Sequence, residues 1–144
     1  MLHPSLTAVL VLGLAAGVAG TGQDPAPEVA RFAVIVHVDN KFAATGDAAR
    51  AVVKQLFLKE LSHWPDGTDA KAYARDPRSA AQEAFRRVVL EMSEAELARH
   101  WLKMKSRDGT TPPKEVDSDR LVLKYVAKNP FALGIVELAS AKDA

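Results

Sequence analysis

The hydrophobic period changes midway through residues 69–90 (DAKAYARDPRSAAQEAFRRVVL), and that change limits the fold more than any other feature. Lys71, Tyr73 and Arg75 alternate against Ala72 and Ala74, which predicts a short strand over residues 70–75. Asp76-Pro77 breaks it, because proline has no amide to give a ladder and biases the preceding residue to an extended form. From Ser79 the spacing becomes helical, with Ala81, Ala84, Phe85, Val88 and Val89 on one face. Ser79 and Gln82 have the spacing of a capping box. A strand, a tight break and a helix in this order make half of an α/β unit. They place Arg75 at the carboxyl end of a strand and Ser79 at a helix N-terminus. Open α/β sheets bind ligands at such ends, and helix N-termini attract anions.

The rest of the chain repeats the alternation. Residues 32–38 (FAVIVHV) form a dense β-branched run, expected as the central, buried strand. Residues 47–58 read as a helix with Ala49, Val52, Val53, Leu56 and Phe57 inside. Pro65-Asp66-Gly67 is a turn, since proline fixes its first torsion and glycine accepts a positive one. Residues 93–107 read as a third helix, opened by a second capping box of Ser93 with Glu96 and burying Leu97, Trp101 and Met104. Residues 108–113 read as a loop. Asp117 or Ser118 caps a fourth helix that Asn129-Pro130 stops. Residues 131–138 (FALGIVEL) give a last strand. The expectation is an α/β domain with a small, mostly parallel sheet of three strands flanked by helices.

The amino-terminal part reads differently. Residues 6–18 are almost entirely apolar and lead into small residues. The run is short for a bilayer span and suits a secretory leader, residues 1–20, cleaved near Ala19 or Gly20. Residues 21–31, rich in proline and polar side chains, form a linker. The domain is then 32–144, and the protein is expected in the periplasm. With 0 Cys, it must rest on its core without disulfides or thiol chemistry.

Several function classes fall away. A net charge of +1 gives no field for nucleic acid. His37, His63 and His100 are scattered without metal-ligand spacing. Trp64 and Trp101 read as core residues. Glu94 and Glu96 suit a helix N-terminus rather than acid/base work. No nucleophile elbow, cysteine nucleophile or glycine-rich phosphate loop is present, so no enzyme and no cofactor are expected. Arg75 remains. Its guanidinium could take an anion bidentately, or it could pair with Asp76 or stand in solvent.

The segment QLFLKELSHWPDG (residues 55–67), the strand ending in Arg75, the following Ser79 and the late run ALGIVEL resemble the phosphate-binding proteins of ABC transporters. Those carry Ile/Leu-Phe-x-Gly-x-x-x-x-Trp, then Arg-x-x-x-Ser-Gly-Thr, then Ala-Ile-Gly-Tyr-Val. The resemblance runs over most of residues 31–139. It implies a type II periplasmic-binding-protein fold, in a short member with only one of the two lobes. It also implies phosphate or a similar oxyanion as ligand, held by Arg75, Ser79, Ala80 and Ala81. Lys59 replaces the family's glycine, so the first helix is expected to end differently. Ala80 and Ala81 replace glycine and threonine, which adds a methyl and removes a hydroxyl. With the closing lobe absent, affinity should be about millimolar, near −4 kcal/mol. The alternative is an exported interaction module that keeps the lobe and has lost the ligand. The uncovered carboxyl edge of the sheet would then take a second copy or a periplasmic partner.

Overall fold

The computed structural model describes residues 7–10, 32–42, 44 and 46–141. Most of the expected leader and linker, residues 1–31, lies outside the described residues, apart from a strand at Thr7–Leu10.

Five strands form one open sheet in the order β1-β2-β5-β3-β4. They are β1 (Thr7–Leu10), β2 (Phe32–His37), β3 (Lys71–Arg75), β4 (Lys114–Val116) and β5 (Ala132–Glu137). β3 lies parallel to β4 and to β5, whereas β2 runs antiparallel to both β1 and β5. The sheet is therefore mixed. β5, rather than β2, has the central place. A strand buried on both faces reads as the same apolar run whatever its direction or rank. β4 follows the expected loop over residues 108–113, in a stretch where no element is expected. It has three residues, and only Val116 is buried, so it leaves almost no periodic signal.

Helices cover both faces. On one side α1 (Gly46–Phe57), α2 (Ala80–Phe85) and a π-helical turn (Arg86–Leu90) pack on Val34, Val36, Leu133 and Ile135. Phe85 is the hinge of this core, 5.7 Å from the Phe32 ring and 4.7 Å from that of Phe57. α3 (Glu94–Asp108) lies over the same side through Leu97 and Trp101, both half-buried, while Met104 is buried. On the other side α4 (Asp119–Lys128) and α5 (Leu138–Ala141) cover Ala33, Ile35, Tyr73 and Val136. α4 approaches closely because β5 carries Gly134: a Cβ there would stand 2.4 Å from Val122 Cγ1. The expected single lobe, an open α/β sheet flanked by helices, is the architecture found.

Trp64 is buried, its indole Nε1 donating to the Phe131 carbonyl at 3.0 Å and its ring 5.2 Å from Phe42. It ties the turn after α1 to the start of β5. Lys59 adopts φ +61°, the left-handed conformation that glycine takes without steric cost. α1 thus ends in a left-handed, glycine-type turn built on a lysine, with Glu60 N–H donating to Gln55 O at 2.9 Å.

Candidate functional site

β3 delivers Arg75 to the carboxyl end of the sheet, and Asp76-Pro77 turns the chain into α2. Ser79 is the N-cap, extended at φ −75° and ψ 148°, and its Oγ accepts from Gln82 N–H at 3.1 Å. The reciprocal half of the expected capping box is absent. Gln82 Oε1 instead accepts from the Arg75 amide at 2.9 Å, pinning the end of β3 to the start of α2. Asp76 pairs with Arg78 rather than with Arg75. Hydrogen bonds from the Arg78 side chain and backbone, in that order, hold the Asp76 carboxyl below the ordinary range.

The guanidinium of Arg75 turns into the fold. Nη1 pairs with Asp119 Oδ1, Nε donates to the Val116 carbonyl at 3.1 Å, and Nη2 donates to the Asp117 carbonyl at 3.3 Å. The Arg75 and Asp119 side chains are only 11% and 14% exposed. Asp119 Oδ2 accepts from the Glu137 amide at 3.0 Å and from Ser140 Oγ at 2.6 Å. The ion pair thus joins β3, the ends of β4 and β5, α4 and α5. The guanidinium thus spends three of its five N–H donors, one from each nitrogen, on groups of the fold.

The four residues expected to hold an anion lie along the turn from the end of β3 into the start of α2. Arg75 is engaged internally, and Ser79 Oγ serves its own helix. Ala81 is fully buried. Ala80 is exposed at the start of α2. No local pattern points to Asp119 as the partner. It lies 44 residues from Arg75 and reads locally as an acidic residue in the first turn of a capped helix.

Beside Arg75 the surface opens into a cleft of about 350 Å³. Phe57, Ala74, Leu90, Leu97 and Trp101 give it apolar walls, and Pro112 and Pro113 border it. The exposed carboxylates Glu94 and Glu115 lie on it, together with half-buried Arg86, whose Nη1 donates to the Met92 carbonyl at 2.8 Å. Arg75 and Gln82 also line it, both with side-chain groups engaged within the fold, so the apolar walls make up most of the surface it offers. Among the described residues no group of His, Asp or Glu could hold a metal ion. His63 pairs with Asp69 at 3.1 Å, and His100 Nε2 lies 2.9 Å from the Leu58 carbonyl.

No protein-family model and no curated protein matches the chain. Solved structures do. PstS from Borrelia burgdorferi aligns with a TM-score of 0.57 at 13% identity, over 78% of this chain and 42% of that one. An ABC-type phosphate transport receptor from Vibrio cholerae aligns with a TM-score of 0.57 at 14% identity, over 93% of this chain and 52% of that one. A protein from Clostridium perfringens, described as a phosphate ABC transporter substrate-binding protein with bound phosphate, gives 0.58 at 15% identity, over 92% and 50%. The chain spans about half the length of these structures. At this identity the likeness is one of fold.

Proposed function

We propose that this chain is an exported interaction module, a phosphate-receptor-like lobe that works by protein contact and has given up enclosing an anion. The observation that carries the reading is the internal pairing of Arg75 with Asp119 at 11% and 14% exposure. It commits the Arg75 guanidinium, at the carboxyl end of the sheet, to the fold. The apolar cleft next to it supplies a surface for a partner's side chains. The apolar run at residues 6–18 supports export to the periplasm. A photo-crosslinking residue at Pro113, on the cleft, should give a discrete adduct in the exported compartment. The same residue at Asp66, a turn at the opposite end of the sheet, should not. Equal labelling from both positions would count against the reading.

A second reading keeps weak oxyanion binding by Arg75, Ser79, Ala80 and Ala81. The place of Arg75 at the end of β3, directly before a helix start, favours it. An anion would then have to displace the Asp119 carboxylate, which fits an affinity of about millimolar. Asp119→Asn removes that competing charge. It should tighten phosphate binding under the second reading and leave it undetectable under the first.

A further inference from the structure

The two edges of the sheet are built differently. β4, at one edge, has three residues and exposes Lys114 and Glu115. Short length and charge are the usual protections of a free edge against pairing with another chain. β2, next to the other edge, has six residues, FAVIVH, with no Lys, Asp, Glu or Pro among them. Phe32 through Val36 are all buried. Its outer side is covered by β1, paired antiparallel from Thr7 opposite His37 to Leu10 opposite Val34. The edge thus accepts an uncharged, extended, antiparallel strand, and nothing in its own sequence protects it once that strand is gone.

β1 lies within the expected leader. Cleavage near Ala19 or Gly20 would remove it and leave four residues of β2 unpaired, those from Val34 to His37. We infer that the processed chain pairs β2 with β2 of a second copy, antiparallel across a two-fold axis, and that the leader strand masks this edge beforehand. β2 has the character of the strand it replaces. Pairing centred on Ile35 sets Ile35 opposite Ile35 and Val34 opposite Val36, so each residue meets one from the same face of the sheet. This matching matters because a one-residue slip would turn the apolar set to the wrong side. A two-fold interface of this kind is self-complementary and closes at two copies. The core residues described lie within residues 32–141, and α4 also lies against β1. The inference rests on export and processing, and not on which ligand, if any, the carboxyl end takes.

The test compares the full chain with the chain as processed in its host, by sedimentation and by hydrogen exchange. The processed chain should sediment at twice the monomer mass, with β2 amides protected. The full chain should be a monomer whose β2 amides are protected by β1. A synthetic peptide covering residues 5–12 should convert the dimer to a peptide-bound monomer. A processed chain that stays monomeric with freely exchanging outer β2 amides would overturn the inference. So would a dimer indifferent to the peptide, because its interface would lie elsewhere. An uncleaved amino terminus on protein from the host would overturn the premise instead, and mass spectrometry reads that outcome separately.

Discussion

Arg75, the last residue of β3, and Asp119, the first of α4, form an ion pair that closes the carboxyl end of the sheet. The pair is mostly buried, and each partner has further hydrogen bonds. Removing one partner leaves the other charge desolvated and unmatched. Arg75→Ala should therefore lower stability by about 3–5 kcal/mol. Asp119→Ala should do the same, and the double variant should lose less than the sum. Chemical denaturation of the four proteins measures the coupling. Additive losses would mean that the two side chains act independently.

Trp64 should be among the most sensitive core positions, since it is 3% exposed and its indole N–H is bonded to Phe131 O. Trp64→Ala should cost about 3–5 kcal/mol. Trp64→Phe should keep much of the packing and lose only the indole hydrogen bond, for a loss of about 0.5–1.5 kcal/mol, because the Phe131 carbonyl still accepts from the Lys71 amide. An unchanged denaturation midpoint in the alanine variant would place the side chain at the surface.

Lys59 offers a substitution in the stabilising direction. Its φ of +61° strains a side-chain-bearing residue and suits glycine. Lys59→Gly should raise stability by about 1 kcal/mol. A fall in melting temperature would show that the lysine side chain contributes more than its backbone strain removes.

Gly134 is fixed by the approach of α4. An alanine Cβ would meet Val122 Cγ1 at 2.4 Å, inside a layer where Val122 is fully buried. Gly134→Ala should cost about 1–3 kcal/mol through overpacking. Val122→Ala in the same chain should recover part of that loss. Failure to recover would point to the strand backbone rather than the valine.

Local signals carried most of the fold. Both serine caps, Ser79 and Ser93, and the apolar faces of α1 and α4 follow from spacing within one turn or two. What escaped was non-local. The antiparallel direction of β2 depends on its pairing with β5, about a hundred residues away in sequence. The same holds for the site. Arg75 was legible as a cation at a strand end. Its engagement by Asp119, and the capture of Gln82 by the Arg75 amide, depend on tertiary contacts that no local pattern encodes. Lys59 shows the converse, because the backbone kept a conformation its residue type disfavours.

The most direct test of the central claim is a calorimetric titration of the processed chain with phosphate at low ionic strength, where screening least weakens exposed anion contacts. With Arg75 held by Asp119, the account predicts no saturable heat below roughly 10 mM phosphate, and none after Arg75→Ala. Saturable binding at micromolar phosphate that disappears with Arg75→Ala would contradict it, because the guanidinium would then serve the anion and not the fold.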